Sequence, residues 1–226
     1  RHIAQVLEGL TGTAPVGSAQ HAADALKKLK VAKNGDPWHR DGWLFQMISW
    51  IAANQEKQGA VLAPPHIFHA HKGFDGVQLE ISGDGKSVTA VVIFEDKATE
   101  KARRTIKRDV WPDIADLEAG GRIAELTHEA SAILERQQHQ YPDLDIDDAI
   151  DRILWQEARR YRVSISIDDK HKPGDQRKKL FKHYDASAAG NVVRRRAETM
   201  HFDDLREWMA NFSHLVAEKI KAIANV

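Results

Sequence analysis

Three charged residues in a row, Glu95, Asp96 and Lys97, end a run of β-branched residues that predicts a buried strand. Side chains alternate between the two faces of a strand, so Glu95 and Lys97 point one way and Asp96 points the other. One face of the strand end therefore presents a carboxylate beside an ammonium. This pair is either a solvated strand end or half of a metal-dependent hydrolytic site.

A second carboxylate, Asp75, is predicted to reach the same place through a β-hairpin. Residues 75–82 alternate apolar and polar side chains, as in a half-buried strand, and "GDGK" at 83–86 is a hairpin-turn signal. Asp75 and Glu95 lie about equally far from this turn. An antiparallel hairpin therefore places both carboxylates at one end of a sheet.

This arrangement of acids suits a divalent cation. Two carboxylates, completed by waters and a substrate phosphate, are ligands that Mg²⁺ accepts, and Mn²⁺ is the alternative. Such a metal polarises a scissile phosphate and generates hydroxide near neutral pH. We predict Asp75, Glu95 and Asp96 as metal ligands. Lys97 is predicted to position the attacking water or to stabilise the developing negative charge.

The elements that must position these residues are predicted from periodicity. A buried helix over 41–59 precedes the hairpin, and a third alternating strand spans 161–168. An amphipathic helix over 203–224 ends the chain. The remaining segments are predicted as helices at 18–30, 98–108, 112–119, 121–139, 145–159 and 174–185, and as a short strand at 191–200. The fold class is α/β, and one domain over 1–226 is the simpler interpretation.

The quoted segments resemble one known family. "GFDGVQLEI" followed by "VTAVVIFEDK" is similar to the PD-(D/E)XK phosphodiesterases, the restriction-endonuclease-like nucleases, with Asp75, Glu95 and Lys97 in the positions of the family pattern. "DGWLFQMISWIA" is similar to the preceding core helix, and the resemblance covers about residues 40–110. It implies a central mixed β-sheet flanked by helices, with core segments at about 40–110 and 160–224. The segment at about 110–158 is then a helical insertion.

The sequence departs from the family pattern in two places. Phe74 stands where the family has a proline. Many members carry a Glu near the start of the core helix, where this sequence has Gln46, with Glu56 as a remote substitute. One carboxylate fewer leaves one or two metal ions as open alternatives. Gln46 and His71, which lies close to Asp75 in sequence, are auxiliary candidates.

Basic residues follow the predicted site directly. Five cations in "KARRTIKR" are candidates for gripping phosphates on either side of a cut: Lys101, Arg103, Arg104, Lys107 and Arg108. A solvated helix balanced by nearby acids is an equal alternative. Arginines at 194–196 add further positive charge. Because the net charge is zero, nucleic acid must be bound through such local patches.

Other sites are disfavoured by their spacing. His66, His69 and His71 do not match a regular zinc geometry, and the sequence has no cysteine. The literal Pro–Asp pairs at 112–113 and 142–143 are not followed by a suitable strand. We interpret the first as a helix start and the second as an acidic loop.

The resulting hypothesis is a metal-dependent endonuclease that acts on nucleic acid, with DNA as the preferred substrate. By resemblance it belongs to a bacterial defence or restriction system, with a partner subunit or a homo-oligomer as its assembly. The alternative is a catalytically inactive nuclease-like module that binds nucleic acid or a protein. No membrane-spanning stretch and no signal-peptide pattern are visible, so we expect a cytoplasmic protein without a membrane partner.

Overall fold

A computed structural model describes residues 18–33, 35–56, 61–62 and 73–224. The strands are β1 (Val61–Leu62), β2 (Gly76–Ile81), β3 (Val88–Lys97), β4 (Arg159–Ile167) and β5 (Arg195–His201). The helices are α1 (Ser18–Leu29), α2 (Trp38–Glu56), α3 (Ala102–Thr105), α4 (Trp111–Glu118), α5 (Ile123–Gln137), α6 (Ile146–Leu154), α7 (Gly174–Leu180), α8 (Tyr184–Ser187) and α9 (Leu205–Ala224). Short 3₁₀ turns cover Gln156–Ala158, Asp169–His171 and Val192–Arg194, and a π-helical turn covers Ile106–Val110.

The five strands form one mixed sheet in the order β1-β2-β3-β4-β5. The first three strands are antiparallel neighbours, whereas β4 runs parallel to both β3 and β5. Helices α3 to α6 lie in the connection between the parallel strands β3 and β4, as such a crossover requires. The α/β class is therefore confirmed, with helices packed against a mixed sheet.

The predicted hairpin is confirmed. Gly76 pairs with Phe94, and the register continues to the turn with one irregularity between Glu80 and Ile81. The turn is closed by Ser82 N–H donating to the Ser87 carbonyl at 2.8 Å, and Gly85 takes a positive φ of 75°. The strand does not end before the charged residues. It runs through Lys97, so all three charges lie within β3.

Two apolar layers cover the sheet. One face, with Val91 and Ile93 of β3, belongs to the largest core, which also contains residues of the crossover helices such as Leu126 and Ile153. The other face carries Val92 and Phe94 and packs against Ala53 of α2. A further cluster joins α1, α2 and α9 through Leu44, Phe45, Met209 and Ile220. Glu95 and Lys97 continue the first face, and Asp96 continues the second.

Several boundaries differ from the sequence predictions for physical reasons. Strand β4 was expected to be half-buried, but it is buried on both faces because it is an interior parallel strand. The predicted helices at 98–108 and 112–119 are continuous from Ala102 to Glu118. A π-helical turn ends at Val110, two residues before Pro112, which has no N–H to donate. Of the arginines at 194–196, the first lies in a 3₁₀ turn and is buried.

None of the helices in these described ranges is long and apolar enough to cross a membrane.

Candidate active site

Two carboxylates and one ammonium meet at the end of β3. Lys97 Nζ lies 2.8 Å from Asp75 Oδ2 and 2.9 Å from Glu95 Oε2. The side chains of Asp75, Glu95 and Lys97 are 15%, 6% and 26% exposed, so the group lies at the edge of the core with a route to solvent. We call these three residues the 75/95/97 cluster.

The hairpin register explains how the cluster forms. Gly76 pairs with Phe94, so Asp75 stands across from Glu95 directly before β2 begins. At this edge Asp75 can reach both faces of the sheet. Its Oδ2 accepts hydrogen bonds from the Asp96 backbone N–H and from Lys97 Nζ, both at 2.8 Å. Its Oδ1 accepts from Gln46 Nε2 at 2.5 Å.

Burial makes Glu95 the unusual acid of the cluster. Burial raises the pKa of Glu95 to about 7. Lys97 opposes this shift and the charge of Asp75 adds to it. Lys97 Nζ, 2.9 Å away, is the contact of the buried Oε2, and no other described residue donates to this oxygen. A buried carboxylate oxygen with one donor has acceptor capacity left for a further cationic ligand.

Lys97 is held in its charged form. Burial lowers the pKa of Lys97, but the adjacent charges of Asp75 and Glu95 outweigh burial and raise that pKa well above its ordinary value. The ammonium therefore stays protonated across the pH range in which Glu95 titrates. In this arrangement it is the resident counter-ion of both carboxylates.

The Asp96 carboxylate lies apart from the other two, on the α2 face of the sheet. Its Oδ1 accepts a hydrogen bond from Ser49 Oγ at 2.7 Å, and Ser49 Oγ in turn accepts from Arg162 Nη1 at 2.7 Å. Burial and the charge of Asp75 raise the pKa of Asp96 to about 8, while Ser49 and Arg162 lower it. The structure therefore brings Asp75 and Glu95 together but does not bring the predicted third ligand, the side chain of Asp96, to them.

The auxiliary candidates have different outcomes. Gln46 lies on α2 and contacts Asp75, so the neutral amide stands in the cluster where the family resemblance implies a Glu. Glu56 is the last residue of α2, and its side chain lies outside the described part of the structure. His71 lies outside the described residues, as do His66 and His69.

Two further charged residues near the cluster were not predicted. Burial raises the pKa of Asp113 on α4, and the nearby charges of Lys97 and Arg122 lower it. Arg122 stacks on the ring of Phe74, with its guanidinium carbon 4.1 Å from the ring centroid, and forms an ion pair with Glu125. Asp113 lies in the first turn of α4, as the Pro112–Asp113 pair predicts, and is close enough to Lys97 for the two charges to interact.

The five predicted phosphate-binding cations do not share one environment. Lys101, Arg104, Lys107 and Arg108 are exposed. Arg103 instead donates from Nη1 to the carbonyl oxygens of Leu180 at 2.7 Å and Lys182 at 3.2 Å. These hydrogen bonds of Arg103 therefore join α3 to the end of α7. The other four cations face solvent on the helical segment that leaves the end of β3.

The donor set of the cluster fits a hard divalent cation. Mg²⁺ is commonly held by one or two carboxylates, with waters and substrate phosphates completing its shell. Asp75 and Glu95 provide that pair, and both carboxylates already contact the Lys97 ammonium, a cation in the same place. Three other potential ligands, Asp169, His201 and Asp203, also converge in the described residues. That group lies on the surface, where acidic clusters are common without a metal.

The sequence matches no protein-family model, and no curated protein matches it. The family resemblance therefore depends on the residues and their arrangement.

Proposed function

We propose that this protein is a metal-dependent phosphodiesterase that cleaves nucleic acid, with DNA as the preferred substrate. The observation that carries the proposal is the 75/95/97 cluster, in which two carboxylates from paired strands contact one lysine ammonium. The hairpin register and the strand alternation that predicted this meeting are both present. A solvated strand end does not account for an acid that is 6% exposed.

Each residue of the cluster has a distinct role in the proposed reaction. Asp75 and Glu95 would hold Mg²⁺ or Mn²⁺ through their oxygens, and such a metal would supply a water of lowered pKa and polarise the scissile phosphate. Lys97, whose ammonium contacts both carboxylates, would donate to the attacking water or to the developing negative charge. Gln46 orients Asp75 through its 2.5 Å hydrogen bond.

The order of elements supports the restriction-endonuclease-like assignment. A helix, α2, precedes a hairpin whose first strand begins after Asp75 and whose second strand ends in Glu-Asp-Lys. A helical crossover then leads to the parallel strand β4. This order is similar to the family pattern over the segment that carries the resemblance. The crossover helices contribute to the main core, so the segment at about 110–158 is a structural layer of the fold as well as an insertion.

Exposed cations support nucleic acid as the substrate. Lys101, Arg104, Lys107 and Arg108 lie on the helical segment that begins soon after Lys97. Backbone phosphates flanking a scissile bond are bound by such side chains. The proposed setting, a bacterial defence or restriction system with a partner subunit or a homo-oligomer, rests on the resemblance alone.

One observation favours an inactive, binding-only module as the second candidate. Lys97 neutralises both acids by direct contact, and Gln46 replaces the Glu that many family members have. A site of this kind is electrostatically compensated without a metal. Wild-type cleavage separates the candidates, because a binding-only module does not cleave in Mg²⁺ or Mn²⁺. Gln46→Glu then tests the cause, because it should confer cleavage on a module that is inactive for want of this carboxylate.

The direct test is a cleavage assay with defined substrates. Labelled single-stranded DNA, double-stranded DNA and RNA are incubated with the protein in Mg²⁺, Mn²⁺ or EDTA. We expect cleavage of DNA with either metal and none in EDTA or with Glu95→Gln. The matched control is Asp169→Asn, which removes an acid of the exposed group and should cleave like wild type. Failure of all substrates in both metals, with the fold intact, would contradict the proposal.

A further inference from the structure

A second set of exposed basic residues lies at the end of α7 and at its junction with α8. We call it the 177–183 group, and it consists of Arg177, Lys178, Lys179, Lys182 and His183. Lys179 pairs with Asp175 at 3.7 Å, whereas the structure describes no ion pair of the other three cations in residues 73–224. Cations in the last turn of a helix stabilise its C-terminal end. That role does not account for Lys182, which lies beyond the last turn.

Hydrogen bonds fix this group against the basic helical segment that follows β3, residues 101–108. Arg103 Nη1 donates to the carbonyl oxygens of Leu180 and Lys182, and Trp111 Nε1 donates to the Lys182 carbonyl at 3.2 Å. Lys107 lies four residues after Arg103 and four residues before Trp111. The backbone of Lys182 is therefore held close to the helical turn that carries Lys107.

The positive charges of the two segments consequently add on one region of the surface. Lys107 and Lys182 are both exposed. Asp109 and Asp185 are exposed on the same segments, but neither forms an ion pair with these lysines where the structure describes them. A surface region of one sign attracts a ligand of the opposite sign. Nucleic-acid phosphates repeat along a strand, so one strand can contact cations from both segments.

The backbone at His183 gives a separate indication of a ligand. Among the described residues, it is the one non-glycine residue with a positive φ, at 76°. A β-carbon makes this conformation unfavourable, and glycine adopts it readily. Residues held in such conformations cluster at ligand-binding sites. The His183 side chain is exposed beside Lys182, and an imidazole has an N–H to donate to a phosphate oxygen.

The 177–183 group also lies near the 75/95/97 cluster. Tyr184, the next residue, is buried and stacks on Trp111 with the ring centroids 4.7 Å apart. Burial raises the pKa of Tyr184, and Glu95 is close enough for its charge to raise that pKa further. A strand bound at the cluster therefore has a short path to the 177–183 group.

We propose that the 177–183 group extends the DNA-binding surface, with Lys182 and His183 contacting backbone phosphates of the strand that is cut. The assignment rests on the proposed function for its substrate class, and it adds the path of the strand. This path runs from the end of β3, past Lys107, to the junction of α7 and α8. Phosphate contacts position a strand without reading its sequence, so their loss should change the salt dependence of binding.

Two variants remove these side chains and leave the joint between the segments intact. Lys182→Ala keeps the carbonyl oxygen to which Arg103 and Trp111 donate. His183→Gly introduces the residue that adopts a positive φ most readily, so the melting temperature should not fall. Lys219→Ala is the matched control, because it removes an exposed lysine from α9, which packs with α1 and α2 in a different apolar cluster.

The experiment is a fluorescence anisotropy titration of labelled DNA in EDTA at several salt concentrations, so that binding is measured without cleavage. A duplex and a single strand of the same sequence are the probes. We expect Lys182→Ala to reduce the log–log salt slope by about 0.9 for a duplex or about 0.7 for a single strand. His183→Gly should weaken binding at least about threefold through the loss of a phosphate contact, and Lys219→Ala should bind like wild type.

Lys107→Ala distinguishes failure of the path from failure of the proposed function. This variant should lower the slope as Lys182→Ala does, because Lys107 belongs to the segment already proposed to bind phosphates. If Lys107→Ala lowers the slope but either Lys182→Ala or His183→Gly binds like wild type, the path is wrong and the proposed substrate stands. If wild type shows no salt-dependent binding of either DNA, both the path and the proposed substrate are overturned.

Discussion

Glu95 and Glu118 are both largely buried acids beside basic side chains, yet their surroundings differ. Glu118 accepts hydrogen bonds from Tyr161 and Arg194 on Oε1 and from Gln156 on Oε2. Burial raises the pKa of Glu118, but these hydrogen bonds outweigh burial and the net shift is downward. Glu95 has Lys97 as the one donor to its buried Oε2 among the described residues, and a pKa raised to about 7.

This difference separates a structural acid from a candidate functional one. The Glu118 group also joins distant segments, because Arg194 Nε donates to the Arg159 carbonyl at 3.0 Å and Arg159 Nη1 donates to the Leu117 carbonyl at 2.9 Å. Several of its donors have fixed protein acceptors, although Arg159 Nε is buried without a hydrogen bond among the described residues. The 75/95/97 cluster is more open, because the Lys97 side chain is 26% exposed, so it has the access to take a ligand.

The largest expected effect is on cleavage by variants of the two proposed metal ligands. Asp75→Asn and Glu95→Gln should reduce metal-dependent cleavage to background, because metal activation of water and phosphate is lost. Glu95→Gln should not lower the melting temperature of the metal-free protein at neutral pH, since the raised pKa of Glu95 means that its charged form is disfavoured in the fold. Asp75→Asn should lower it, because the Asp75 carboxylate accepts from Gln46, Lys97 and the Asp96 backbone. Cleavage rates and thermal melts in EDTA measure both parts. Substantial residual cleavage by Glu95→Gln would place the chemistry elsewhere.

Glu118→Gln should have the opposite profile. It leaves buried arginines with one carboxylate fewer, and breaking such a pair costs about 3–5 kcal/mol of unfolding free energy. Urea unfolding measures the loss. Metal binding by the folded fraction should remain, because the residue holds no part of the proposed metal site. Unchanged stability would show that this cluster does not hold the segments together.

Lys97→Ala should slow the reaction without removing the metal. The loss of one donor to the developing charge raises the barrier by about 2–4 kcal/mol. Metal affinity should be equal or higher, because a competing cation has left the two carboxylates. Calorimetric titration with Mn²⁺ measures the metal affinity, and a cleavage time course measures the rate. If Lys97→Ala cleaves at the wild-type rate, Lys97 is only a counter-ion of the two carboxylates.

The raised pKa of Glu95 predicts how metal-free stability depends on pH. A carboxyl whose folded pKa is about 7 binds its proton more tightly in the folded state, so its favourable contribution is present below the unfolded pKa. That contribution is lost as pH rises through the folded value. Stability should fall between about pH 5 and 8 by at most about 1.4 kcal/mol per pH unit for each such group. Asp96, with a pKa of about 8, adds to the same decline.

Urea unfolding at several pH values in EDTA tests this sign. Glu95→Gln should flatten the decline, and Asp96→Asn should flatten its alkaline part. Glu118→Gln should not change the slope in this window, because a depressed pKa places its loss of stability in acid. A wild-type protein whose stability rises from pH 5 to 8 would contradict the electrostatics described for β3.

The smallest effect concerns the basic helical segment. Arg104→Ala, at an exposed position, should reduce the salt dependence of DNA binding by about 0.9 in log–log slope if one phosphate contact is lost. Arg103→Ala should instead lower stability, because the carbonyls of Leu180 and Lys182 lose their donor. Binding titrations at several salt concentrations separate the two. If Arg103→Ala reduces the salt dependence of DNA binding and Arg104→Ala does not, Arg103 leaves its carbonyl partners to bind DNA.

The meeting of Asp75, Glu95 and Lys97 could be predicted because it depends on local rules. Strand alternation and hairpin symmetry act within a single stretch of chain, and the turn signal fixed the register. The partner of Asp96 could not be predicted, since Ser49 reaches it only when α2 packs across the sheet. The hydrogen bonds of Arg103 likewise depend on the position of α7, which is far away in sequence. Sequence periodicity does not indicate where α2 packs on the sheet or where α7 packs beside Arg103.

The most direct test of the central claim is calorimetric titration of Mn²⁺ into wild type, Glu95→Gln and Glu118→Gln without nucleic acid. The difference between the two acids predicts saturable binding by wild type and by folded Glu118→Gln, and none by Glu95→Gln. Asp169→Asn should bind like wild type, which excludes the exposed acidic group. Binding that survives Glu95→Gln, or its absence in wild type, would contradict the assignment of the 75/95/97 cluster as a metal site.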